Sequence, residues 1–210
     1  MIKQRAQLKR EAEAKYNELV SDKDIATIEL TDELSDLKKQ FVRIHDTDIA
    51  NVKVILDEYR LPYLEAPGEA DQLCVFLVKI KKAWAVMSDD MDMFVYGCAR
   101  VIRNFNMEKH TVIYYELAVI LEELELSITL FKEILVLSGT DYNIHEPTSL
   151  EQTIKWLYKY KRYCKEPSSC KKTFYEWLIM NTKYINNYEE LKHVYGMFTI
   201  NADDFREIMV

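Results

Sequence analysis

The sequence predicts an α/β fold, with a core on a parallel sheet, a helical region before it and a helical C-terminal part after it. Three observations carry that prediction. Ala83-Trp84-Ala85-Val86-Met87 is a continuous apolar run, the pattern of a strand buried on both faces of a parallel sheet. Val101-Ile102-Arg103-Asn104-Phe105 and Thr111-Val112-Ile113-Tyr114-Tyr115 read as further strands. Helical patterns at about 116–124 and 128–138 alternate with them, Ile128, Phe131 and Leu135 sharing one face of the second.

Upstream, residues 3–20 form a charged stretch of high helix propensity with a weak apolar stripe, broken by Ser21 to Thr31. Residues 32–59 read as one long second helix with Leu34, Leu37, Phe41, Ile44, Val52 and Leu56 along its stripe. Leu61-Pro62-Tyr63-Leu64 is extended and consistent with a short strand. Pro67 and Gly68 then open a helix in which Ala70, Leu73, Cys74 and Leu77 share a face. Downstream, Ser149-Leu150-Glu151-Gln152 has the form of a capping box. Residues 173–196, rich in Tyr and Trp, read as core and packing. The resulting division is 1–59, a helical region; 60–125, the α/β core; 126–163, a helical pair; and 164–210, a helical tail.

Composition narrows the class. The 210 residues are 49% hydrophobic, enough for a real core, and no run of about 18 apolar residues offers a membrane span. The charged start Met1-Ile2-Lys3-Gln4-Arg5 lacks the apolar stretch of a signal peptide, so an intracellular, non-secreted protein is expected. Cys74, Cys98, Cys164 and Cys170 show no zinc-like spacing and read as free thiols. A net charge of −7 opposes indiscriminate nucleic-acid binding but leaves room for a local basic face. Basic residues do concentrate at Lys3 to Lys15 and at Lys155 to Lys172.

Five carboxylates in three short segments are the chemical signal. They are Glu69 and Asp71 in Ala66-Pro67-Gly68-Glu69-Ala70-Asp71, Asp90 and Asp92 in Ser88-Asp89-Asp90-Met91-Asp92, and Asp141 in Ser138-Gly139-Thr140-Asp141-Tyr142. Each segment sits at the edge of an apolar run, and Gly68, Gly97 and Gly139 lie within or beside them. Asp90 and Asp92, two apart at a strand end, are expected on one side, with Asp89 turned away. Glu69 and Asp71 diverge on a helix, so one would reach a metal directly and the other through water. Singly, each acid reads as a cap or a surface charge. Together they form an all-oxygen donor set of the kind that hard cations such as magnesium or manganese select. Two such ions about 4 Å apart activate a water and stabilise the leaving oxygen of an in-line displacement.

These segments, within a stretch from about Leu37 to Asn143, resemble the flap endonuclease/XPG family of structure-specific 5′-nucleases. The resemblance implies a PIN-like 5′-nuclease core. It implies a DNA endonuclease, a hydrolase of replication and repair, cutting at 5′ flaps or single-strand/duplex junctions with two Mg2+ that Mn2+ can replace. Glu69 and Asp71 would serve the first metal, and Asp90, Asp92 and Asp141 the second; Asp71 stands where the family usually has Glu. The first two helices resemble the family's helical arch, with Arg5, Lys9 and Arg10 as phosphate contacts. Two departures stand out. The family begins with a strand and a further segment that each supply a catalytic Asp, and Met1 falls after both. A fragment, a split product, or an upstream segment or separate chain completing the site is therefore expected. The family's glycine-rich helix–two-turn–helix is also replaced by Asn143-Ile144-His145-Glu146-Pro147-Thr148, a glycine-less form that resembles nucleases of large DNA viruses. Lys155, Lys159, Lys161 and Arg162 would contact duplex backbone in its place, or lie on an amphipathic packing helix. A non-cutting module for branched DNA or a partner protein, and an RNA-directed 5′-nuclease, are the alternative readings.

Overall fold

Two compact units, Met1–Leu64 and Glu65–Val210, make up the chain. The computed structural model describes residues 2–21, 34, 37–38, 44–140, 142–143, 148–166 and 172–209, with the side chains of 2–9, 21 and 207–209 outside that description. In the first unit α1 spans Ile2–Ser21 and α2 spans Asp46–Glu58. Leu34, Leu37 and Lys38 are helical, but Ile44 and His45 are not, so the single long helix expected over 32–59 is interrupted. The cause is local. The Asp48 carboxylate accepts the His45 backbone N–H at 2.8 Å, holding His45 extended as the N-cap of a new helix. No residue of α2 is buried: Ile49, Val52, Val54 and Ile55 all face outward.

The expected strand at Leu61-Pro62-Tyr63-Leu64 does not form, and the segment is irregular. An extended segment becomes a strand only by hydrogen bonding to a neighbour, and none of the three described strands pairs with it.

The second unit begins with α3 (Ala70–Lys79), whose Leu73, Val75, Phe76 and Val78 are buried. Three strands follow in the order β1-β2-β3: β1 (Val86–Met87), β2 (Arg100–Asn106) and β3 (Thr111–Glu116). The short helix α4 (Asp92–Val95) lies between β1 and β2. β1 runs parallel to β2, with Val86 opposite Val101, whereas β2 and β3 form an antiparallel hairpin. The sheet is therefore mixed, not purely parallel. The run 83–87 is also not buried on both faces, since Trp84 and Met87 are 61% and 64% exposed. With β2 as its only described neighbour, β1 is an edge, and its outer side chains stay in water.

Five further described α-helices and a closing turn complete the unit: α5 (Leu117–Glu123), α6 (Ile128–Ser138), α7 (Leu150–Cys164), α8 (Phe174–Asn181) and α9 (Tyr188–Met197), then a 3-10 helix at Ala202–Met209. Side-chain oxygens of Ser127, Ser149, Thr173 and Asn187 cap the N-termini of α6, α7, α8 and α9. α6 packs against α4, α7, α8 and α9 and is the hub. One side of it joins Val136 and Leu137 to Phe174, Leu178, Leu191 and Phe198. Its Phe131 joins a second cluster of Val75, Met93, Phe94, Val101 and Leu117 under the sheet. Burying one such side chain contributes about 2–3 kcal/mol, so α6 ties the sheet to the helical tail. Among the described residues no helix is long and apolar enough to cross a membrane.

Candidate metal centre

Glu69 is the N-cap of α3 in extended backbone (φ −66°, ψ 124°). Its carboxylate makes no cap hydrogen bond and is exposed, so it is not spent on the helix. Asp71 lies in the first turn and is half-buried. A helix N-terminus ordinarily stabilises a carboxylate, yet the Asp71 carboxyl is held above its usual range, first by burial, then by the charges of Asp90 and Glu69. Three acids from two segments therefore feel one another. One turn on, burial raises the Cys74 thiol, with Asp71 adding to the effect, so at neutral pH it is protonated.

The second acidic segment leaves the end of β1. The Asp90 N–H donates to Ser88 Oγ at 3.1 Å, and Asp90 Oδ1 accepts the Asp92 N–H at 2.9 Å. Asp92 opens α4. The two acids are thus related by a turn and a helix start, not by strand alternation as the sequence suggested. Asp89 is used differently: its Oδ1 accepts the Asn104 N–H at 2.7 Å, fixing β2 where Asn104 takes φ 52°. Its exclusion from the candidate set agrees with this role.

Asp141 lies outside the described residues, but its flanks are well defined. Gly139 ends α6 with φ 112° and ψ 127°, a conformation that L side chains rarely adopt. Beyond it, the Thr140 N–H and Oγ1 donate to Asn143 Oδ1 at 2.6 and 2.7 Å, and Asn143 Nδ2 donates to Val136 O at 2.7 Å. Thr140 and Asn143 are both buried. This knot pins Thr140 and Asn143 to the end of α6. Sequence reasoning missed it, although the small polar pair around Asp141 is its signal.

Two phenols border the acids and were also missed. Tyr96 and Tyr142 hydrogen-bond to each other, and Tyr96 to Gln72. Burial first, and then Glu69 and Asp92 among other neighbours, push Tyr142 up to about 12. Tyr96 is raised as well, again chiefly by burial. Both rings pack on the buried Phe198, at 4.9 Å from Tyr96 and 5.5 Å from Tyr142. Glu69, Asp71, Asp90 and Asp92 thus share one electrostatic neighbourhood. Among the described residues, however, no three His, Cys, Asp or Glu side chains are grouped to hold one ion.

Of the basic candidates, the Arg5 and Lys9 side chains lie outside the described residues, and Arg10 is exposed on α1. On α7, Lys155 pairs with Glu151 at 2.6 Å, and Lys159 sits 4.2 Å over the Trp156 ring. Lys161 donates to Leu124 O at 3.4 Å, and Arg162 is exposed. Trp156 packs edge-on to Trp177, so α7 has a core side and a cationic side.

Part of the chain is similar to known proteins. Residues 60–141 match the XPG I-region. Flap endonuclease 1 of Methanocaldococcus jannaschii is 32% identical over 141 residues, 67% of this chain and 41% of that protein. Flap endonuclease 1 of Trypanosoma cruzi is 34% identical over 123 residues, 57% of this chain and 31% of that protein. The solved flap endonuclease-1 from Methanococcus jannaschii superposes with a TM-score of 0.52 at 23% identity, covering 84% of this chain and 64% of that one. The catalytic core of Rad2 in complex with DNA substrate gives 0.57 at 22%, covering 91% and 61%. The fold is that of a nuclease core of this kind. Over residues 60–141 the chain is similar to the XPG I-region, and it spans about two-fifths of the length of the curated flap endonucleases it matches.

Proposed function

We propose that the chain is a metal-dependent, structure-specific DNA nuclease of the flap endonuclease type. It cuts phosphodiester bonds at 5′ single-strand/duplex junctions in replication or repair. The observation that carries this reading is Asp71, held above its usual range by burial and then by the charges of Asp90 and Glu69, inside the stretch that matches the XPG I-region. Like charges gathered without compensation favour an external cation. The donors fit a hard ion, since they are carboxylate oxygens and the adjacent Cys74 stays a thiol.

Glu69 and Asp71 would hold one divalent ion and Asp90, Asp92 and Asp141 a second, Mg2+ by preference and Mn2+ in its place. Bound there, such ions supply a nucleophilic water at neutral pH and charge stabilisation of the leaving oxygen. The chain's own groups prepare the site. Asp90 orients Asp92 through its amide. The phenols of Tyr96 and Tyr142 stay protonated among the carboxylates. Lys155, Lys159, Lys161 and Arg162 on α7, and Arg5, Lys9 and Arg10 on α1, would neutralise backbone phosphates.

A second reading, binding of branched DNA without cutting, is favoured by the absence of a three-acid grouping among the described residues. On that reading, an upstream segment or a separate chain would supply the remaining acids. The test is the purified chain with a 5′-flap DNA and a matched RNA, in Mg2+ or Mn2+, alongside calorimetric Mn2+ titration. Metal-dependent DNA cleavage that Asp92→Ala lowers by more than about a hundredfold, with weaker Mn2+ uptake, supports the first reading. A shifted but uncut flap supports the second. Undiminished cleavage by Asp92→Ala and Asp141→Ala refutes the assigned roles, and preferential cleavage of RNA refutes the substrate.

A further inference from the structure

A cleft of about 560 Å³ opens at the C-terminal end of α3, with Tyr96 on its lining. Asp71 stands in the first turn of α3 and Lys79 at its end, about 12 Å further along the axis. Four cations line the cleft, Lys79, Lys81, Arg100 and Lys132, and no carboxylate does. None of the four makes an ion pair among the described residues. Arg100 gives its Nε to Trp84 O at 2.6 Å and lies over the Trp84 ring. Lys132 is half-buried, donates to Phe198 O at 2.8 Å and lies 4.4 Å from the Tyr195 ring centre. Burial pushes its ammonium down to about 8, as expected of a cation that no carboxylate compensates. Lys81 takes φ 63° at the C-terminal end of α3, a position where glycine would be unstrained.

The floor is aliphatic and aromatic: Val75, Val78, Val95, Ile128, Phe198 and Ile200. Neutral hydrogen-bonding side chains are few, with Thr199 and the Tyr96 phenol on the lining and that phenol already engaged. A nucleobase would find little to read its edges. An apolar side chain flanked by carboxylates matches both the floor and the charge.

We propose that this cleft docks a linear acidic segment of a partner protein, an apolar side chain seated on Ile128 and Ile200 and flanking carboxylates paired with Lys79, Lys81, Arg100 and Lys132. The inference does not depend on the nuclease reading.

The probe is a fluorescein-labelled peptide with a Leu-Phe core flanked by Asp and Glu, titrated by anisotropy against the full chain. It is expected to bind, and to bind at least about tenfold more weakly when the acids are amidated or the core becomes Ala-Ala. Binding is also expected to weaken in higher salt. Lys132→Gln should weaken it about tenfold or more, and so, independently, should the exposed pair Lys79→Gln with Lys81→Gln. Lys192→Gln, on α9 and outside the cleft lining, should leave it unchanged. Affinity unaltered in the Lys79/Lys81 pair, or no saturable binding, overturns the proposal. Displacement of the peptide by an equal concentration of dTMP or of a single-stranded oligonucleotide also overturns it, in favour of a nucleotide or nucleic-acid site.

Discussion

Replacing Glu133 with Gln should stabilise the fold at neutral and alkaline pH, and the size of the gain follows from its surroundings. Glu133 lies on α6 and is 6% exposed. Burial, with a smaller push from Glu176, raises its carboxyl from 4.5 to about 7, against a hydrogen bond from the Phe174 backbone. The phenols of Tyr160, Tyr175 and Tyr195 feel its charge, and Tyr175 donates to its backbone oxygen at 2.8 Å. The sign is opposite to that of an ion-paired acid. Below pH 4.5 the group is protonated folded and unfolded and costs nothing. Between 4.5 and about 7 the unfolded chain releases the proton first, so stability falls as pH rises. At about 1.4 kcal/mol per pH unit, the gap amounts to about 3 kcal/mol, fully felt above pH 7. Glu133→Gln keeps shape and acceptor without the charge. Urea unfolding at pH 8 and pH 4 should show a gain approaching about 3 kcal/mol at the higher pH and little at the lower. An equal difference at both pH values would refute an origin in buried ionisation.

The knot beside Asp141 should be costly to untie. Asn143→Ala removes the acceptor of the Thr140 N–H and hydroxyl and the donor to Val136 O, and should cost about 2–4 kcal/mol in urea unfolding. On α7, Lys159→Gln with Arg162→Gln should weaken flap-DNA binding for every sequence alike. It should also reduce the slope of log affinity against log salt by about two, measured by filter binding at several salt concentrations.

What could be read from the chain beforehand follows from how local each cause is. β2, β3, α5 and α6 were legible because their patterns and caps lie within their own segments; Ser127 receives its bond from Leu130, three residues on. The break at His45 was hidden by a continuing apolar stripe, and a single Asp48 carboxylate decided it. Leu61–Leu64 has strand chemistry but no described strand beside it, which no local pattern reports. Trp84 was expected inside and instead lies in a surface stack with Tyr114 at 5.4 Å, under Arg100. In the site, the acids of the two described segments stand out in the sequence as short local clusters. Their phenolic neighbours escaped notice because Tyr96 and Tyr142 are 46 residues apart in sequence and are brought together by the fold, beside Phe198.

The turn after β1 separates structural acids from chemical ones more sharply than spacing does. Asp89 is spent on the fold, its carboxylate on the Asn104 amide and its carbonyl on the Arg103 guanidinium at 2.5 Å. A purely architectural cluster would repeat that pattern. Instead Asp90 turns one oxygen to the amide of another acid, and Glu69 forgoes the cap bond its position offers. Asp71 is raised, by burial first and then by Asp90 and Glu69, rather than lowered by its helix. Each choice leaves negative charge uncompensated by protein, at a cost that folding alone gives no reason to bear. Bound cations remove that cost, and the same ions bring the chemistry. Mn2+ should therefore raise the melting temperature of the chain, and Asp90→Asn should shrink that rise while raising the melting temperature of the metal-free protein. Scanning calorimetry with and without Mn2+ decides it: a metal-free Asp90→Asn no more stable than the parent would mean that the acids do not strain one another.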